Sequence, residues 1–372
     1  MKIIAKTSSG IEDILVKEIE TIGGKNIRKL KRSVEFEGDK RVLYLANYKL
    51  RTAVKIIVPI FDFKFKDVED YYQKLYDYQW DKIFDPSYTL SIDSSVRSDF
   101  FNNTYYATLK AKDAIVDFFR KKTNVRPDID KDDPDIKINI YVNKDYCNVS
   151  LDSSGQPLFK RGWRKNQGIA PINEVLAAAI VMMSEWNTQL PLLDFMCGSG
   201  TIPIEAAMIA FNIPPQIKRK SFSFMKWRDF DYRLWMQIIE EEHSKINYDK
   251  NIKIFANDIS KKAVENTREN IRSAGLKDYI KVFNKSFDKL DFKHTMYIIF
   301  NPPYGKRIET KEEIYDFYKK IGDTLKNNFK NCEAWMITGN MEALKHLGLR
   351  TSKRVNLFNG QIEAKLVKYE IY

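Results

Sequence analysis

Hydrophobic and polar positions along this chain of 372 residues follow two different rhythms. In the first part short alternating runs mix with amphipathic stretches. Lys2 to Lys6 reads as a strand. Ile11, Ile14, Leu15 and Ile19 then recur at helical spacing, with Ser9 placed to cap the helix, Glu12 three residues on, and Gly23-Gly24 to stop it. Val34 to Glu37 alternates as a strand, and Ala53 to Ile60 forms another. Residues 67–83 predict a helix rich in Tyr and Trp, and Tyr88 to Val96 a strand. Asn103 to Lys122 predicts a helix with Ala107, Ala111, Ala114, Ile115, Phe118 and Phe119 inward. After a turn-rich loop over 126–135, Ile136 to Val142 and Tyr146 to Leu151 read as a hairpin around Asn143-Lys144-Asp145.

The rhythm changes after Leu151. Residues 152–168, DSSGQPLFKRGWRKNQG, are rich in Gly, Ser and charge, and a linker is expected here. Ala170 to Trp186 is a strongly apolar helix. Strands then alternate with helices: Leu190 to Met196, Ile252 to Asp258, Tyr279 to Phe283, Met296 to Phe300 and Ala334 to Thr338 as strands, Thr201 to Phe211, Lys261 to Ala274 and Glu312 to Asn327 as helices. Such alternation predicts an α/β domain with a parallel, doubly wound sheet. Arg354 to Phe358 and Ala364 to Tyr372 read as an antiparallel hairpin at its edge.

Composition adds a preference for polyanions. The net charge is +12 and the isoelectric point near 9.2, a field that suits nucleic acid or an anionic membrane. Residues 1–165 and 166–372 are each +6, so neither is a separate basic tail, and a generally basic surface is the plainer reading. Cys147, Cys197 and Cys332 are odd in number and far apart, which favours a reducing compartment over a disulfide framework. His243, His294 and His346 lack metal-ligand spacing, so no metal is expected. No run approaches the ~18 apolar residues of a membrane span, and the first residues are too weakly apolar for a signal peptide. The expectation is a cytoplasmic protein without a membrane partner.

Four stretches carry candidate chemistry. In LLDFMCGSGTIPIEAAMIA (192–210) an apolar strand runs into Cys197-Gly198-Ser199-Gly200 and then a helix. The glycines permit a tight turn and close approach of a ligand to the backbone. The third glycine of the dinucleotide fingerprint would fall at Pro203, which weakens a nicotinamide or flavin reading; a packing turn remains the alternative. In IFANDIS (254–260), Asp258 ends the next strand, where a carboxylate can take both ribose hydroxyls; its alternative role is a helix cap, for which Ser260 is better placed. Gly200 and Asp258 lie 58 residues apart, so an insertion over 213–250 must fill the gap. In VFNKSFDKL (282–290), Ser286 and Phe287 would lie beside an adenine, or form a plain loop. Finally, Ile298-Ile299-Phe300 runs into Asn301-Pro302-Pro303-Tyr304. Two prolines end a strand because they cannot donate ladder hydrogen bonds. They leave an amide and an aromatic ring at the strand's carboxyl end, where open α/β sheets bind ligands.

With these stretches in order, the second part resembles an S-adenosylmethionine-dependent methyltransferase of the Rossmann-like class. Asn-Pro-Pro-Tyr resembles the signature of enzymes that methylate amino groups. RGWRKNQGIAPINEVLAAAIV (161–181), DFMCGSGTIPIEAA and NPPYG are similar to the N-terminal half of the bacterial large-subunit ribosomal RNA guanine-N2 methyltransferase. The first part resembles the ferredoxin-like plus THUMP arrangement of RNA-modifying enzymes, by layout and scattered residues. The resemblance implies a ferredoxin-like unit over 1–65, a THUMP RNA-binding domain over 66–155, a linker over 156–168, and a methyltransferase domain over 169–372. That last domain would carry a seven-stranded, mostly parallel sheet with an antiparallel C-terminal hairpin.

The same resemblance implies S-adenosyl-L-methionine as cofactor. Asp194, Cys197, Gly198, Ser199, Gly200 and Thr201 would form the methionine end of its site. Asp258 with Ile259 would bind ribose, and Ser286 and Phe287 adenine. Asn301 would stand between cofactor and target. Asn301, Pro302, Pro303 and Tyr304 would hold the target base and carry catalysis; Ala170, Pro171 and Asn173 would cover the cofactor. The implied activity is methylation of a guanosine N2 amine in 23S ribosomal RNA. Transfer-RNA guanine N2, DNA adenine N6 and a protein glutamine are rival acceptors, and a non-catalytic RNA-binding or ribosome-assembly factor is the rival of another class. Enzymes of this kind occur fused to a second methyltransferase domain, which is not seen here, so a single methylation is expected. Basic clusters at Lys25–Arg32, Lys160–Lys165 and Lys218–Arg228, with Trp163 and Trp227 beside two of them, read either as RNA contacts or as solvated faces and core packing.

Overall fold

The computed structural model describes residues 1–166, 172–292, 294–303 and 310–372. Ala170, Pro171 and Tyr304 lie outside the described residues. Two compact units emerge. The first comprises residues 1–6, 19–158 and 219–240, the second residues 7–18, 159–218 and 241–372.

Along the first part run β1 (Lys2–Lys6), α1 (Glu12–Thr21), β2 (Lys25–Leu30), β3 (Ser33–Glu37), α2 (Lys40–Lys49), β4 (Lys55–Lys64), α3 (Val68–Tyr76), β5 (Leu90–Arg97), α4 (Thr104–Thr123), β6 (Ile136–Asn143) and β7 (Tyr146–Asp152). The strands form one sheet in the order β2-β3-β1-β4-β7-β6-β5. β5 and β6 pair in parallel, whereas β4, β7 and β6 meander antiparallel. Phe65, Tyr71, Trp80, Phe84 and Phe119, with Leu75 among them, form a buried core in this part that is largely aromatic.

Three local features depart from the expected pattern. The helix expected over 67–83 stops at Tyr76, because Trp80 turns inward and its indole N–H donates to the Leu75 carbonyl at 2.7 Å. Lys25–Leu30, read as a charged run, is an edge strand. α2 went unexpected because Val42 through Tyr48 are all buried, so no polar face marks it as amphipathic. Its start is fixed by Asp39, which accepts from the Val42 N–H at 2.9 Å.

Residues 219–240 complete the first unit. Phe224 stacks on Tyr44 with centroids 4.5 Å apart. The Arg219 guanidinium donates to the carbonyls of Ser154 and Gln156.

Along the second part run α5 (Glu174–Met183), β8 (Leu192–Asp194), α6 (Thr201–Ala210), α7 (Tyr232–Ser244), β9 (Ile254–Asn257), α8 (Lys261–Ala274), β10 (Ile280–Phe283), β11 (Tyr297–Phe300), α9 (Lys311–Asn328), β12 (Glu333–Thr338), α10 (Met341–Leu344), β13 (Lys353–Asn359) and β14 (Ile362–Glu370). The sheet order is β10-β9-β8-β11-β12-β14-β13. β10 through β12 run parallel, and β13 and β14 close the edge antiparallel, as the sequence pattern predicts. From β8 the chain winds outward through β9 and β10, then returns to β11 on the other side. The order therefore reverses between β8 and β11, and the crevice belongs at their carboxyl ends. No described helix is long and apolar enough to cross a membrane.

Candidate functional site

The crevice begins where β8 ends. Asp194 is buried, and its carboxylate accepts from the Met196 N–H at 3.1 Å. Burial pushes its carboxyl well above the usual range, and the charge of Asp258 adds to the effect. The chain then turns through Gly198 (φ 56°) and Gly200 (φ 82°), both in the left-handed region. At Gly200 a side chain would meet the Thr267 methyl at 2.9 Å. At Gly198 nothing among the described residues stands within 4 Å of the place a Cβ would take, which leaves room there for a ligand against the backbone. α8 holds this loop from below: Thr267 donates to the Gly198 carbonyl at 2.8 Å and Asn270 to the Ser199 carbonyl at 3.0 Å. Burial, then Asp194 and Asp258, keep the Cys197 thiol well above its ordinary pKa, so it is a neutral packing group rather than a nucleophile.

Asp258 follows β9. One carboxylate oxygen accepts from the Gly198 N–H at 3.0 Å and the other from the Ser260 N–H at 2.9 Å. Ser260 caps α8, accepting from the Ala263 N–H at 3.3 Å, so Asp258 is not the helix cap. Beside it Ile259 is 72% exposed, an apolar side chain left open at the rim. The buried Asn257 ties three segments together. Its amide donates to the carbonyls of Phe195 (3.1 Å) and Lys285 (3.0 Å) and accepts from the Lys285 N–H (3.0 Å). After β10, Ser286 donates to Asp288, whose carboxylate also pairs with Lys320 at 2.9 Å. The Ser286 hydroxyl first, then Lys320, hold the Asp288 carboxyl down at about 2. The Lys320 ammonium lies 5.6 Å from the centre of the Phe287 ring.

Asn301 follows β11. β11 pairs in parallel with β8 at Tyr297–Leu192 and Ile298–Leu193, so both strands end at the same edge of the sheet, Asn301 after one and the glycine turn after the other. The Phe195 ring lies 4.3 Å from that of Phe300 and 5.7 Å from that of Phe287, which binds the loops after β8, β10 and β11 into one rim. Asn301 Oδ1 is buried without a hydrogen-bond partner among the described residues, and Pro302 behind it is buried. An acceptor in that condition is costly unless a ligand donates to it.

The linker expected to touch RNA is built into the second unit. Arg161 is wholly buried and pairs with the equally buried Glu205 at 3.3 Å. Trp163 is 1% exposed. The N–H groups of Lys165 and Asn166 donate to Asn270 Oδ1 at 2.8 and 3.2 Å. Arg161, Trp163 and Arg164 are thus packing residues, because their charges and rings are taken up inside. Trp227 packs half-buried against the aromatic core of the first unit. Asn173 spends its side-chain oxygen capping α5 at the Val175 N–H, 2.8 Å away. Sequence reasoning missed Asn257, Thr267 and Asn270. The available signal was Asn266, Thr267 and Asn270 on the buried side of α8, beside Val264 and Ile271.

Comparison with known proteins places the chain in a family. The family model for the RMKL-like methyltransferase domain (UPF0020) matches residues 161–368. The THUMP domain matches residues 65–152, and the RlmL ferredoxin-like domain residues 2–57. A Synechocystis protein with a provisional RNA methyltransferase name is 33% identical over 374 residues, covering 99% of this chain and 96% of that one. The crystal structure of SMU.472, a provisionally assigned methyltransferase complexed with SAH (S-adenosylhomocysteine), superposes with a TM-score of 0.90 at 28% identity, covering 100% of this chain and 98% of that one. A Listeria monocytogenes protein named by prediction as an N6-adenine-specific DNA methylase superposes with a TM-score of 0.89 at 26% identity, covering 100% and 96%.

Proposed function

The chain belongs to the RMKL-like methyltransferase family, and on that premise we propose that it methylates the exocyclic N2 amine of a guanosine in 23S ribosomal RNA. It is an S-adenosylmethionine-dependent methyltransferase that acts on RNA. That the acceptor is an exocyclic amine rests above all on Asn301 Oδ1, a buried acceptor left without a partner among the described residues.

The residues of the crevice fit the cofactor. The open space at Gly198 admits a ligand to the glycine turn. Asp194 and Cys197 to Thr201 would surround its methionine end. Asp258 would take the ribose hydroxyls, with Ile259 at the rim. Ser286 and Phe287 would flank the adenine. When bound, S-adenosylmethionine supplies an electrophilic methyl group on a sulfonium.

What the chain must add is orientation. A nucleobase amine has its lone pair delocalised into the ring, so it is a weak nucleophile but needs no strong base to expose it. Asn301 Oδ1 and the Pro302 carbonyl would accept its two hydrogens. That contact draws the nitrogen out of conjugation and aims its lone pair. Tyr304 would stack on a base swung out of its helix. Holding both reactants in line supplies much of the acceleration. The amine nitrogen would take the methyl group as its bond to the sulfonium sulfur broke, leaving a neutral thioether, and the nitrogen, made cationic, would then release one proton to water. A catalytic histidine has no task in this scheme.

Guanine N2 is favoured by the likeness of Asp194–Ala207 and Asn301–Gly305 to ribosomal RNA guanine methyltransferases, and RNA by the THUMP match. Adenine N6 in DNA is the second reading, because Asn-Pro-Pro suits any planar exocyclic amine and the Listeria relative carries that name. Methyl transfer from labelled cofactor to RNA and to DNA, run with wild type and Asn301→Ala, tests the assignment. The variant is expected to lose RNA methylation by about a hundredfold or more while binding SAH as before. Full activity in the variant would remove Asn301 from the chemistry.

A further inference from the structure

Arg164 lies in the linker, yet its guanidinium reaches two separate segments of the second unit, residues 172–174 and 199–201. Nε donates to Glu174 at 2.6 Å, Nη1 to the Ser199 hydroxyl at 3.0 Å, and Nη2 to the Thr201 hydroxyl at 2.9 Å. Nη2 also faces the Ile172 carbonyl at 3.4 Å. The Arg164 side chain is 10% exposed and that of Glu174 7%, so neither charge is screened by bulk water. The indole of Trp163 lies beneath, 5.0 Å from the guanidinium carbon.

The direction of these bonds carries information. A guanidinium only donates, so Ser199 and Thr201 must accept through their oxygens. Each hydroxyl has one hydrogen left, and it must point away from Arg164. Both residues are buried, and among the described residues no acceptor takes those hydrogens. They stand at the start of α6, where Gly200 provides no side-chain cap and Pro203 has no N–H. The first-turn N–H groups of a helix point outward in the same way. Glu174 accepts from Nε, and no hydrogen bond joins it to either hydroxyl among the described residues.

We propose that Arg164 is a positioning residue of the cofactor site. It fixes the Ser199 and Thr201 hydroxyls as donors toward the carboxylate at the methionine end of the cofactor. This rests on the reading that the methionine end lies against residues 197–201. Arg164 touches only the protein; its effect passes through the two hydroxyls. A lysine in its place keeps the charge but cannot span both hydroxyls and Glu174 at once.

The test compares two ligands by titration calorimetry on the full chain. SAH carries the carboxylate; 5′-methylthioadenosine shares the adenosine and the thioether but lacks the amino-acid end. Arg164→Lys, and separately Thr201→Val, should weaken SAH by about tenfold or more and methylthioadenosine by less than about twofold. Thr201→Val matches the shape of threonine and guards against a folding defect in the arginine variant. Equal weakening of both ligands would reduce Arg164 to a structural clamp, and unchanged SAH affinity in both variants would remove its role. Wild type that binds neither ligand would overturn the cofactor reading itself, and the proposal with it.

Discussion

Asp288 shows how one residue's electrostatics lead to a measurable outcome. The Ser286 hydroxyl and Lys320 hold its carboxyl at about 2, below the ~3.9 of an unfolded aspartate. A depressed carboxyl stabilises the fold above its unfolded pKa and loses that contribution as the pH falls toward its folded one. Both partners reach solvent, so the contribution is about 1 kcal/mol at most. Asp288→Asn should therefore melt below wild type at pH 7, and the gap should close between about pH 4 and pH 2. A gap that stays constant across that window would mean the pair contributes through packing alone. At this scale the sequence was partly legible. Asp258 and Asn301 stood out because each ends a strand beside turn-forming residues. The roles of Arg164 and Asn257 did not, because their partners lie 8 to 37 and 28 to 62 positions away, and only the fold brings them near.

Elements were legible in proportion to the contrast between their faces. α8 and α9 alternate sharply and were found with nearly their observed ends. α2 is buried almost all round and β2 is polar almost throughout, so neither produced a pattern. The break after Tyr76 came from Trp80, a long-range packing choice that local propensity does not encode. α9 also carries a prediction. An alanine inside a helix normally gains about 1 kcal/mol over glycine. At Gly322 the added Cβ would stand 1.7 Å from the Leu347 carbonyl oxygen, a backbone atom that cannot swing aside. Overlap should win, and Gly322→Ala should lower stability by about 1–3 kcal/mol in a denaturant titration. A more stable variant would show that the turn after α10 yields easily.

Across the whole molecule, the sequence pattern predicted a parallel doubly wound sheet with an antiparallel edge, and the second unit has it. The N-terminal part was harder to assign because its resemblance lay in layout rather than motif; the THUMP and ferredoxin-like matches now identify it. Its exposed edge strand carries Lys25, Arg28 and Lys29, with Lys31 and Arg32 in the turn that follows, and Arg28 pairs with Glu35. Such charges guard an edge against pairing with other chains. They also suit an RNA backbone, and phosphate contacts of that kind give affinity without choosing the base. On the proposed reading, choice of base would fall to the residues at the carboxyl ends of β8 and β11. The measurement that tests this account most directly is a nucleoside mass analysis of ribosomal RNA, transfer RNA and DNA from cells with and without the gene. The account predicts that one N2-methylguanosine disappears from 23S ribosomal RNA, returns with the wild-type chain, and stays absent with Asn301→Ala. Unchanged N2-methylguanosine in 23S RNA, with the gene expressed in the wild-type cells, would contradict it, and a loss of N6-methyladenine from DNA instead would give the site to adenine.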